Sequence, residues 1–163
     1  MENKYKYAFL FLFIFFGCVP SVFISSFNKT NIDKNSAIYI SNLDKYSIGQ
    51  KAFRNKLNQA LTENGYFIVD SLHKSKYYLL ITFSNNLIMS SDMEKKNRMF
   101  SIELLLIESN QLKNHLGNAI HENTLWKCKL KLNWMDYLKH QDSLIMIIAR
   151  EFMNPFYGRK VLI

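Results

Sequence analysis

The chain has 163 residues, with 21 Lys and Arg against 13 Asp and Glu and a formal charge of +8. That length suits one domain. A hydrophobic content of 48% excludes disorder throughout, and five Gly with two Pro exclude collagen-like and Pro/Gly-rich classes. Two Cys exclude a disulfide-dense scaffold and any site needing four Cys ligands.

The first eighteen residues differ from the rest. Lys4 and Lys6 form a short basic start, Tyr7 to Phe16 is an unbroken apolar run, and Gly17-Cys18 closes it. A charged start, a short apolar stretch and a small residue before a break describe a secretory signal peptide. The run is too short for a comfortable membrane span, which needs ~20 residues. Phe9, Phe11, Phe13, Phe15 and Phe16 lie here, so much of the aromatic count belongs to targeting. Removal of residues 1–17 takes away Glu2, Lys4 and Lys6 and leaves 146 residues with a charge of +7.

Residues 18–35 mix Ser, Asn, Thr and Lys with scattered hydrophobes, which reads as a tether with a short strand at Val22 to Phe27. A single domain is expected over residues 36–163. Ala37 to Ile40 is β-rich. Ser47 is a plausible helix cap, and Ala52, Phe53, Leu57, Ala60 and Leu61 recur at three- and four-residue steps, so a helix is expected from Ile48 to Asn64. Gly65 stands where a helix terminus takes a left-handed residue. Tyr66 to Val69 and Tyr77 to Phe83 read as strands, the second apolar on both faces and so central. Residues 84–97 read as a polar loop, and Arg98 to Ser109 as a strand.

Trp126, Cys128, Leu130 and Leu132 then alternate with Lys127, Lys129, Lys131 and Asn133. A period of two puts the lysines on one face and the apolar set on the other. Asp142 or Ser143 starts a last helix reaching about Met153, closed by Asn154-Pro155. Residues 156–163 read as a tail. The order β-α-β-β-β-β-α predicts an α+β sandwich of two layers: two helices on a mainly antiparallel sheet of about five strands.

Few residues suggest chemistry. His73, His115, His121 and His140 are scattered and share no metal-ligand spacing. No nucleophile-elbow motif exists, and Cys128, on the apolar strand face, reads as a small core hydrophobe. Glu103 and Glu108 have odd spacing on one strand and therefore opposite faces. Neither metal, cofactor nor catalysis is expected. Lys51, Arg54 and Lys56 read as the solvated face of the first helix. The stripe Lys127, Lys129 and Lys131 is the candidate site for an anionic surface, either lipid headgroups or the phosphates of a glycolipid. Alternatively, the three lysines solubilise the strand and discourage edge pairing. Nucleic acid is not expected as a partner of an exported domain.

Phe15-Phe16-Gly17-Cys18 resembles the bacterial lipobox, with Phe at two positions where Leu and a small residue are usual. The resemblance implies cleavage between Gly17 and Cys18, lipid on the Cys18 sulfur and acylation of the new amino terminus. Several chains anchor stably where one is marginal. Val19 rather than Asp after the Cys implies the outer membrane. An acylated Cys18 leaves Cys128 without an intramolecular disulfide partner. Two further readings of the leader stay open: plain secretion with an incidental Cys18, and an uncleaved signal anchor over Tyr7 to Ile24. Lys4 and Lys6 keep the amino terminus cytoplasmic in each, so the domain lies outside the cytoplasm.

Beyond the leader, Leu57 to Tyr66 with its Gly-aromatic close, the apolar strand Tyr78 to Phe83, Thr124-Leu125-Trp126 and Phe152-Met153-Asn154-Pro155 resemble the small outer-membrane lipoproteins of Gram-negative bacteria that carry one α+β domain after the lipobox. The layout is also similar, less closely, to the lipoproteins of lipopolysaccharide assembly. These resemblances imply residence at the periplasmic face of the outer membrane, an envelope protein or anionic glycolipid as partner, and either a binding role or a place as an assembly or plug subunit. They supply no catalytic residues.

Overall fold

The computed structural model describes residues 21–28, 32–41, 47–88, 97–111, 124–154 and 156–162. The fold is α+β, two helices against one mixed sheet. The strands are β1 (Ser21–Asn28), β2 (Ile38–Ile40), β3 (Ile68–Val69), β4 (Tyr77–Ile88), β5 (Asn97–Glu108), β6 (Trp126–Asn133) and β7 (Phe156–Leu162), with helices α1 (Ile48–Glu63) and α2 (Trp134–Glu151). The sheet order is β3-β2-β4-β5-β6-β1-β7. The pairs β4/β5, β5/β6, β6/β1 and β1/β7 are antiparallel, while β2 pairs parallel with β3 and β4. Parallel neighbours need a crossover, and α1 supplies it between β2 and β3.

The expected β-α-β-β-β-β-α series is present as β2 to α2. The sheet has seven strands rather than about five because each end of the chain adds one. Ser21–Asn28 contains the short strand expected at Val22 to Phe27 and pairs with both β6 and β7, so it belongs to the sheet rather than to a tether, and Phe156–Leu162, read as a tail, forms the strand beyond it. The β-branched and aromatic residues of these segments suit a sheet, but Gly158, Arg159 and Lys160 masked the pattern in β7. The polar stretch 84–97 is shorter as a connection than expected, since β4 runs on to Ile88 and β5 begins at Asn97.

Both helices cover one sheet face. Phe53, Leu57, Ala60 and Leu61 of α1 and Leu144, Ile145, Ile147 and Ile148 of α2 are buried with Ile38, Ile40, Leu79, Ile81, Ile102, Leu104 and Leu130 in one core. Ala52, read as part of the apolar face, is exposed. Ser47 caps α1 as expected: its hydroxyl accepts from the Gln50 amide while Gln50 Oε1 accepts from the Ser47 amide at 2.8 Å. Gly65 has φ +85°, the left-handed conformation that favours glycine. The last helix starts earlier than expected, at Trp134 with Asn133 as its cap, and bends at His140 (φ −120°, ψ 22°). The expected start at Asp142 or Ser143 lies just past that bend, where the regular apolar repeat begins.

Candidate functional site

The leader, with Gly17 and Cys18, lies outside the described residues. In sequence, Cys18 stands three residues before Ser21, the first residue of β1. Three residues span at most about 11 Å. Phe23, two residues into β1, pairs with Lys131, two residues before the end of β6. The start of β1 and the end of β6 are therefore level, and Leu162 at the end of β7 lies opposite Ser21.

The alternation in β6 is found as expected. Trp126, Cys128, Leu130 and Leu132 are buried under the helices, and the three lysines share the opposite face. They are not equivalent. Lys127 Nζ lies 2.6 Å from Glu103 Oε1, on the neighbouring strand β5, so its charge is matched locally. Lys129 is half-buried and stands in register with Glu103, and Lys131 is exposed and in register with Ser101. β6 has β5 on one side and β1 on the other. The lysines therefore do not guard a sheet edge.

Two of the three basic residues of α1, Arg54 and Lys56, are engaged rather than merely solvated. Arg54 donates through Nε to the Ser41 carbonyl at 2.8 Å and through Nη2 to the Ile40 carbonyl at 3.0 Å, closing the end of β2. Lys56 pairs with Asp142 of α2 at 2.6 Å. Lys51 is exposed.

Cys128 is 1% exposed and carries a free thiol, and burial, with a smaller contribution from the Glu151 charge, pushes it up to about 12. It is a core side chain rather than a thiolate nucleophile. Glu103 and Glu108 occupy opposite faces of β5 by their parity, as expected. His73 lies in an exposed turn and His140 at the bend of α2, while His115 and His121 fall outside the described residues. Among the described residues, no group of three or more His, Cys, Asp or Glu gathers where it would hold a metal ion.

One feature escaped sequence reading. A cleft of about 420 Å³ opens between the start of α1 and the start of α2, lined by Gln50, Phe100, Trp134, Tyr137, Leu138 and Gln141 among others. Its floor is an aromatic cluster in which the Phe100 ring lies 5.0 Å from Trp134 and 4.4 Å from Tyr137. The Tyr137 hydroxyl accepts from Gln141 Nε2 at 2.8 Å, and burial raises its pKa. The signal was the i, i+3 pair Trp134 and Tyr137 behind Asn133, which share a face only once the helix is extended to them.

At the other end of the core the segments that carried the family resemblance meet. The Tyr66 hydroxyl donates to the Phe152 carbonyl at 2.9 Å, Trp126 Nε1 donates to the Asn154 carbonyl at 3.3 Å, and Phe152 sits edge-on to both rings at 5.0 and 4.9 Å. These residues hold helices and sheet together and form no site.

No protein-family model and no curated protein matches the sequence. Solved structures do match in shape. A PDZ domain protein from Parabacteroides distasonis superposes with a TM-score of 0.51 at 12% identity, over 96% of this chain and 41% of that one. The present chain thus spans less than half the length of that protein. A variant of the PelC dodecamer from Paraburkholderia phytofirmans gives 0.49 at 9% identity, over 78% of this chain and 95% of that one. A minor lipoprotein from Acinetobacter baumannii gives 0.35 at 15% identity, over 72% and 92%. The first of these likenesses establishes a shared α+β fold and nothing of function. No helix among the described residues is long and apolar enough to cross a membrane.

Proposed function

We propose that the chain is a lipid-anchored domain at the periplasmic face of the bacterial outer membrane, which acts by binding an envelope component rather than by catalysis. The observation that carries this reading is the join between leader and fold. A basic start, an apolar run and Gly17-Cys18 lead into β1, and the residue suited to carry lipid stands only three positions before the first residue of the sheet. The other cysteine is buried in the core and unavailable for acylation or pairing. The partner is an envelope protein or an anionic glycolipid, and the exposed Lys131 is the basic group best placed to meet its negative charge.

Labelling with radioactive palmitate in a Gram-negative host tests the reading. Label is expected on the native chain and lost with Cys18→Ala. Equal labelling of both chains would refute it.

A further inference from the structure

We infer that the domain lies with one end of its sheet against the membrane, presenting Ile48, Met135 and Leu138 to the lipid surface in which the Cys18 acyl chains are inserted. The inference rests on the lipidation proposed above and adds the orientation and the contacting residues.

The geometry follows from register. β1 starts at Ser21, level with the end of β6 through the pairing of Phe23 with Lys131. β5 begins at the same end, since Met99 pairs with Asn133. α2 follows β6 without a break, which puts Trp134, Met135 and Leu138 there too. α1 starts at this end as well, because Ser47, Gly49 and Gln50 share the cleft with Phe100, Trp134 and Leu138.

Large apolar side chains standing in water need a reason when they gather. Among the described residues, Ile48 is 89% exposed, Met135 55% and Leu138 56%. All three ring the end of the sheet from which Cys18 is at most about 11 Å away. Trp134, half-buried at the same end, is of the residue type favoured at the water–lipid boundary. The exposed Lys131 lies within two residues of the same strand end, positioned for anionic headgroups. The short link is decisive for the occupant. A long tether would let this rim meet any partner, whereas three residues hold this end of the sheet within about 11 Å of the residue that carries the anchor.

Two other exposed apolar residues serve as internal references. Phe67 precedes β3, whose Ile68 pairs with Ile38, itself paired with Tyr77 at the start of β4 and so at the opposite end of the sheet. Met146 lies roughly 16 Å further along α2 than Met135.

The test uses the full chain, acylated in a Gram-negative host, with Ile48→Cys, Met135→Cys, Leu138→Cys, Phe67→Cys or Met146→Cys labelled by a polarity-sensitive fluorophore. Acylated Cys18 has no free thiol, and Cys128 is buried. Each preparation is checked by intact mass and placed in vesicles of phosphatidylethanolamine and phosphatidylglycerol containing a spin-labelled lipid. Blue-shifted, quenched emission is expected at positions 48, 135 and 138, and water-like emission at 67 and 146. An acylated protein whose five probes behave alike, or whose probes at 67 or 146 are the quenched ones, overturns the orientation and leaves the anchor intact. A protein without acyl mass that does not stay with the vesicles overturns the anchor, and the orientation with it.

Discussion

The hydroxyl of Tyr66 donates to the main-chain carbonyl of Phe152 at 2.9 Å, joining two residues 86 positions apart. Tyr66 follows the left-handed Gly65, and Phe152 closes α2, so this bond ties the exit of one helix to the exit of the other. The Phe152 ring also lies edge-on against Trp126, at the start of β6. Removing the hydroxyl alone with Tyr66→Phe leaves the carbonyl short of a buried donor. A loss of about 1 kcal/mol is expected in urea unfolding. Trp126→Ala, which opens a void under both helices, is expected to cost about 3–5 kcal/mol.

Backbone geometry at Gly65 makes a separate prediction. Its φ of +85° is one that an L side chain rarely adopts, although there is open space where a Cβ would sit. Gly65→Ala is therefore a test of conformation rather than of packing. A loss of about 1–2 kcal/mol is expected, and a neutral outcome in thermal unfolding would contradict the left-handed turn.

Burial of Cys128 predicts a pH dependence. The folded thiol is held up to about 12 against 9.0 for a free one, so the fold favours the protonated form. The corresponding stability is complete below 9.0 and is lost as pH rises from there toward about 12, because the unfolded chain releases the proton first. Denaturation midpoints of the native chain are expected to fall more steeply over that window than those of Cys128→Ala. Thiol reagents should modify Cys128 only on unfolding.

The three lysines of β6 should separate in a binding assay. In a non-acylated Cys18→Ala chain on anionic vesicles at low salt, Lys131→Gln is expected to cost about 1 kcal/mol of affinity, the usual contribution of one basic residue near such a surface. Lys127→Gln should cost less, because Glu103 already faces its ammonium at 2.6 Å. Equal losses would contradict local neutralisation of Lys127. No loss from Lys131→Gln would return the stripe to a solubilising role.

Much of this architecture was legible in the sequence. Strict alternation over Trp126–Asn133 and the three- and four-residue steps from Phe53 to Leu61 each answer to a single burial pattern, and both elements appear where those patterns put them. The unread parts have physical causes. β7 carries Gly, Arg and Lys through its pairing segment and shows no clean period, whereas β1 contains the short strand expected at Val22 to Phe27. The first turns of α2, from Trp134 to His140, precede the bend and lack the apolar repeat that follows it. The aromatic cleft unites Phe100 with Trp134 and Tyr137 only through the pairing of β5 with β6, a tertiary fact no local pattern holds. Partnering across strands likewise decided the lysines, since Glu103 is distant from Lys127 in sequence. Gly17 and Cys18 were read from sequence alone.

The anchor is the central claim, and intact mass of the protein purified from the membrane of a Gram-negative host tests it most directly. The predicted mass is that of residues 18–163 carrying a diacylglyceryl group on Cys18 and an acyl group on its amine. A full-length mass would mean an uncleaved anchor and would contradict the lipoprotein assignment.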